Sequence, residues 1–274
     1  MKKPEALEKF KLAMVRENLS PKTISNYAHM VGAYIDFCNT RKFKTRSEYV
    51  NGFVTMLLFG RRPPRTVNLY IAALLKYFTV VRNANTKIDR IPYVKEGRYL
   101  PKTLTVQEVQ RIFLVKMNPK HKLLLALTYG CGLRVSEVIA IRNRDIFLDS
   151  NMIHVTGKGS KERLVPIHDI PRGLLTAHMN GGEYLFPGQL TGHTTVRTAE
   201  KIFTNALITA SIGRRMGIHA LRHSYATHML EDGNNMRVIQ EVLGHSSIRT
   251  TEIYTHVSKA HLTKIRSPIS NIAI

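Results

Sequence analysis

Strand alternation occurs in one place in this 274-residue chain, between Asn151 and Ile167, where MIHVT and RLVPI flank the turn-forming stretch GKGSKE. Elsewhere the repeating apolar positions recur at helical spacing. One face of each helix must then be buried against other helices, so a large sheet is excluded and the chain is mainly α with a small antiparallel β-sheet.

Four apolar stripes precede residue 90: Leu7, Phe10, Met14; Ile24, Tyr27, Val31, Tyr34; Tyr49, Val50, Phe53, Val54, Leu57; and Val67, Tyr70, Ile71, Leu74, Phe78. Ser20 followed by Pro21 marks a helix start. Four helices in so short a span form a compact all-α unit, residues 1–90. The polar, proline-bearing stretch DRIPYVKEGRYLPKT follows, and residues 91–103 read as an interdomain linker before a second domain over 104–274. Thr105 and Glu108 have the spacing of a capping box for a helix with the stripe Val109, Ile112, Phe113. The run LLLALTY at 123–129 reads as a buried helix stopped by Gly130 and Gly132. Further helices are expected over Thr195–Ser211, Ile218–Glu231, Asn235–Leu243 and Ser247–His256.

Charge narrows the partner. Lys and Arg outnumber Asp and Glu by 41 to 19, a formal net charge of +22. The excess is 19 to 7 over residues 1–100 and 22 to 12 over 101–274, so both halves are basic. A polyanion touching both is the natural partner, and a linker between two basic domains permits a clamp around a duplex. No stretch approaches the ~20 apolar residues of a spanning helix, so no membrane is expected. Cys38 and Cys131 lack metal-ligand spacing and read as reduced core thiols of a cytoplasmic protein, and MKKPEALEKF lacks the apolar stretch of a secretory signal.

Four stretches of the second half hold polar groups that packing does not require. In GCGLRVSEV, Arg134 follows a glycine turn at a helix start, where a guanidinium and backbone donors favour an anion, or it pairs locally with Glu137 or Asp145. In TGKGSKERLVP, Lys158 lies between two glycines, able to approach a phosphate or simply to face solvent. In IHALRHSYATHML, His219 and Arg222 are three apart and share a helix face, and His219 also reads as a helix-cap histidine. His219 and His223 are four apart, but the glutamate of H-E-x-x-H is missing, which argues against zinc. The last stretch, LGHSSIRTTEIYTH, has little to bury: Gly244 ends a helix, His245 sits in the turn and Tyr254 follows nine residues on. A tyrosine hydroxyl, pKa about 10, attacks at neutral pH only where positive charge favours phenolate; alternatively Tyr254 is an amphipathic interface residue.

Taken in order, GLRVSE, GKGSKER, HALRH, LGH and TEIYTH resemble the tyrosine recombinase (phage integrase) family, specifically its Xer-type branch. The likeness covers roughly residues 100–257, and the N-terminal helices, LSPKTISNY most of all, resemble the family's core-binding domain. The resemblance implies a two-domain DNA clamp: a helical core-binding (SAM-like) domain plus a catalytic domain with a C-terminal docking tail. It implies strand exchange at a double-stranded DNA recombination site through a Holliday junction, serving resolution of chromosome or plasmid dimers. Tyr254 would be the nucleophile, leaving a 3′-phosphotyrosine and a free 5′-hydroxyl. Arg134 and Arg222 would hold the nonbridging oxygens, His219 and His245 would add hydrogen bonds, and Lys158 would protonate the departing oxygen. No metal, nucleotide or other cofactor would be consumed. A homo-oligomer is implied, dimer and then tetramer on DNA, with Ile269, Ile272 and Ile274 of the tail exchanged into a neighbouring protomer. The tail is similar to that of the single archaeal Xer proteins. An integrase or excisionase of a virus or mobile element would use the same chemistry, a type IB topoisomerase would share it without pairing two sites, and a non-catalytic DNA-binding regulator would use the charge alone. A translocase or a second recombinase as accessory partner is compatible with these motifs.

Overall fold

The computed structural model describes residues 3–82, 91–97, 102–157, 161–167, 170–179, 181–189, 192–244 and 272. The chain divides into two compact units, Met1–Tyr99 and Leu100–Ile274.

The first unit is built from α1 (Lys3–Arg16), α2 (Pro21–Asn39), α3 (Arg46–Phe59) and α4 (Pro64–Arg82). Ser20 caps α2 by accepting from the Thr23 N–H at 3.2 Å, with Pro21 in the first turn where its missing N–H costs nothing. The stripes converge on a core containing Phe10, Met14, Val31, Phe53, Val67, Ile71 and Leu74. Edge-to-face contacts of Tyr34 with Phe53 and Phe78 knit α2 to α3 and α4. Residues 91–97 fold back onto this unit: Asn68 Nδ2 donates to the Val94 carbonyl at 2.9 Å, its Oδ1 accepts from the Val94 N–H at 2.7 Å, and Ile91 and Val94 pack against the core.

The second unit opens with α5 (Val106–Leu114), whose capping box between Thr105 and Glu108 is formed in both directions. Buried α6 (Pro119–Gly130) follows, then one-turn α7 (Val135–Ile139), the strands β1 (Ile146–Phe147), β2 (Met152–Thr156) and β3 (Glu162–Pro166), α8 (Arg172–Thr176), α9 (Val196–Thr209), α10 (His219–Glu231) and α11 (Met236–Leu243). The hairpin β2–β3 runs from Met152 opposite Pro166 to Thr156 opposite Glu162. The sheet has a third strand, β1, antiparallel to β2, which two residues are too few to announce by alternation.

Every residue of α6 from Leu123 to Gly130 is buried, and α10 packs beside it. That neighbour is polar for a core helix, and its buried polar groups are paired. Tyr129 Oη lies 2.9 Å from His228 Nδ1, while Ser224 Oγ donates to the Ala220 carbonyl and accepts from the Leu104 N–H. Cys131 is buried, Cys38 is half-buried and packs against the core of the first unit, and neither forms a disulfide. Ile272 lies in the core cluster of its own unit, whereas Ile269, Ile274 and the helix expected over Ser247–His256 lie outside the described residues. Among the described residues no helix is long and apolar enough to cross a membrane.

Candidate active site

Two glycine turns set the site. Gly132, at φ +58°, reverses the chain after α6 so that Arg134 becomes the residue capping α7. Only glycine fits there, because a Cβ would lie 2.5 Å from Tyr225 Cδ1 and 2.7 Å from Leu243 Cδ2. Gly244 ends α11 in the left-handed conformation (φ 61°, ψ 44°), a common helix stop.

At the centre is Glu137, with a side chain only 3 % exposed. Its Oε2 accepts the Arg134 backbone N–H at 2.8 Å and Arg163 Nη2 at 2.8 Å; its Oε1 accepts Arg134 Nη1 at 2.8 Å and Arg163 Nη1 at 3.1 Å. Arg222 Nη1 stands 3.8 Å from Oε2. Of the two acidic residues weighed as local partners of Arg134, Glu137 is the one it meets. Asp145 lies instead 3.9 Å from Arg144.

Three guanidiniums around one carboxylate, +3 and −1, leave a local charge of +2. Burial pushes the Glu137 carboxyl upward, but the hydrogen bonds of Arg163 and of the Arg134 backbone outweigh it and hold the pKa at about 2. Burial, followed by the charge of Arg134, brings Arg222 down to about 10, so it stays cationic at neutral pH. Arg222, 5 % exposed, donates to the carbonyls of Gly132 and Leu243, each at 2.7 Å. Arg134 Nη2 donates to the Gly244 carbonyl at 3.2 Å. Guanidiniums held this way are fixed in place by their hydrogen bonds. They offer fixed positive charge to an anion, as transfer of a phosphoryl group requires.

Comparison with known proteins decides the chemistry. The description "Phage integrase family" matches residues 102–261, and "Phage integrase, N-terminal SAM-like domain" matches residues 6–87. The chain belongs to the phage integrase family of tyrosine recombinases. This recombinase is 34 % identical to tyrosine recombinase XerA of Thermococcus kodakarensis over 95 % of its own length and 93 % of the relative's. It is 32 % identical to tyrosine recombinase XerD of Oceanobacillus iheyensis, over 92 % and 93 % respectively. Its fold is that of a lambda integrase dimer bound to a COC′ core site, with a TM-score of 0.70 at 15 % identity, covering 89 % of this chain and 94 % of that one.

Of the six residues singled out in the recombinase sequence, the structure brings Arg134 and Arg222 together on Glu137. His219 begins α10 and is exposed, so the helix that buries Arg222 presents His219 to solvent. His223 is exposed too, its pKa lowered by partial burial and then by the charges of His219 and Arg222. Lys158, His245 and Tyr254 lie outside the described residues. Arg163 was missed, and Glu137 was weighed only as a local partner. The signals were present: Arg163 takes an inward register beside buried Val165, and Glu137 adjoins the buried apolar pair Val138 and Ile139. A charge at such a position needs a buried counter-charge.

Proposed function

We propose that this recombinase breaks a DNA strand by attack of Tyr254 Oη, as the phenolate left when its proton passes to solvent, on the scissile phosphorus. The bond to the 5′-oxygen breaks as the tyrosine–phosphorus bond forms, giving a 3′-phosphotyrosine and, once Lys158 supplies a proton, a free 5′-hydroxyl. The phosphodiester energy is conserved in the adduct, so rejoining consumes no nucleotide, and charge stabilisation falls to Arg134, Arg222, His219 and His245. The observation that carries the reading is the convergence of Arg134 and Arg222 on one buried carboxylate, two cations pre-positioned with net positive charge to spare.

The substrate is a double-stranded DNA recombination site, exchanged through a Holliday junction by protomers that bind as a dimer and then a tetramer. The likeness to XerA and XerD across more than nine-tenths of the chain favours resolution of chromosome or plasmid dimers, in the cytoplasm, over service to a virus or mobile element. The C-terminal tail passes between protomers, trading its seat in its own unit for one on a neighbour.

The test is a nicked duplex whose cleaved fragment diffuses away, trapping the covalent adduct. The native chain accumulates the adduct, and Tyr254→Phe binds the duplex equally well but forms none. An undiminished adduct with Tyr254→Phe assigns the nucleophile elsewhere, and no adduct with the native chain leaves a DNA-binding regulator.

A further inference from the structure

Three consecutive carbonyls at the end of α11 each accept from a different arginine. The Val242 oxygen takes Arg163 Nε at 2.8 Å, Leu243 takes Arg222 Nη2 at 2.7 Å, and Gly244 takes Arg134 Nη2 at 3.2 Å. The last carbonyls of a helix have no partners within it and carry the negative end of its dipole, so cations are favoured there. All three arginines also face Glu137.

Arg163 differs from the other two in how its guanidinium is used. Its terminal fork grips both oxygens of Glu137 and its Nε holds Val242, so both edges that would otherwise clasp a phosphate oxygen are engaged. It is also wedged between two backbones. A Cβ on Gly157 would lie 3.4 Å from Arg163 Nη1 and 3.2 Å from Glu137 Oε1, and a Cβ on Gly244 would lie 3.2 Å from Arg163 Nη1. Gly157 and Gly244 are the residues immediately before Lys158 and His245.

We infer that Arg163 is a positioning residue of the cleavage reaction: clamped to Glu137, it fixes the two points from which the chain departs toward Lys158 and toward His245, without itself touching the phosphate. The inference rests on the proposed function, since it needs Lys158 and His245 at work on one phosphate. A lysine does not reproduce this clamp, because one ammonium nitrogen lacks the planar fork that meets both carboxylate oxygens while a third N–H, set apart from them, meets the helix-end carbonyl.

The experiment uses the full chain and the nicked duplex, with adduct formation by the native chain as the prior condition; its failure would sink the functional reading, not this one. Given that adduct, Arg163→Ala is expected to bind the duplex with an unchanged salt slope, whereas loss of a phosphate contact lowers the slope by about 1, and Arg163→Lys to bind as the native chain does. Adduct formation by Arg163→Lys slows about 100-fold, the scale of a small misplacement of reacting groups. A substrate with a neutral methylphosphonate at the scissile position restores cleavage by Arg134→Ala, whose need for positive charge it removes, and leaves Arg163→Ala slow. Cleavage by Arg163→Lys at the native rate, or methylphosphonate rescue of Arg163→Ala equal to that of Arg134→Ala, overturns the assignment. Should the single variants unfold, the pair Arg163→Met with Glu137→Gln removes both charges together. A folded double variant that binds but cleaves more slowly than Glu137→Gln alone supports the inference, and one that cleaves no more slowly than Glu137→Gln overturns it.

Discussion

Glu137 is the buried anion among three cations of the catalytic unit. Its folded pKa, about 2, lies below the usual 4.5, so the folded state binds the proton less readily than the unfolded one. The stabilisation is therefore complete above pH ~4.5 and is lost as pH falls from there through about 2. Thermal melts of the native chain should drop across that window, and Glu137→Gln, which has no carboxyl to protonate, should lack that part of the drop. At neutral pH the same variant should cost about 3–5 kcal/mol, because three guanidiniums then face each other without their counter-charge. An unchanged acid limb in Glu137→Gln assigns the acid sensitivity to other groups. For Lys158 the question is proton donation: Lys158→Ala should cleave ordinary DNA about 10²- to 10⁴-fold more slowly. It should recover when the scissile 5′-oxygen is sulfur, since a thiol with a pKa of about 8.5 leaves without help. Arg222→Ala should show no such recovery, and equal rescue of both, or of neither, makes Lys158 an ordinary phosphate contact.

Elements meet at this site through glycine. The turn after α6 brings the backbone of Gly132 against α10 and α11 at once, and its carbonyl holds Arg222. Gly132→Ala adds a methyl 2.5 Å from Tyr225 and requires φ +58° of an L-residue. The two effects together should cost about 2–4 kcal/mol. Adduct formation should fall as well, because the anchor of Arg222 moves. Gly173 in α8 is the control: a Cβ there meets nothing within 4 Å, so Gly173→Ala should be neutral or slightly stabilising. Differential melts of the two variants check the contrast, and a harmless Gly132→Ala would mean that α6, α10 and α11 can separate at no cost.

At the scale of the whole molecule, the net charge of +22 divides between two basic units, and the C-terminal residues belong to the second. Ile272, 6 % exposed, lies in that unit's own core. If the tail trades that seat for one on a neighbour, deleting the residues after Arg266 removes an inter-protomer contact and also uncovers the seat. Such a truncation should bind a single half-site with native affinity, melt a few degrees lower and recombine poorly. Binding followed by strand exchange on a two-site plasmid measures both, and full recombination by the truncated chain would refute tail exchange.

The sequence by itself determined whatever depends on neighbours a few residues apart. The stripes of the first unit, the Ser20 cap, the Thr105–Glu108 box, the buried run 123–129, the hairpin and the left-handed stop at Gly244 all follow from periods and offsets within a few residues. The five ordered motifs carried the family. Tertiary structure alone decided which groups distant in the chain meet. Arg163 reaches Glu137 across 26 residues and Val242 across 79; Arg222 reaches Gly132 across 90, and Arg134 reaches Gly244 across 110. No local rule selects such pairs. They form because each cation and each helix-end carbonyl, once packing removes it from water, must find a partner among the groups that the same packing has brought near.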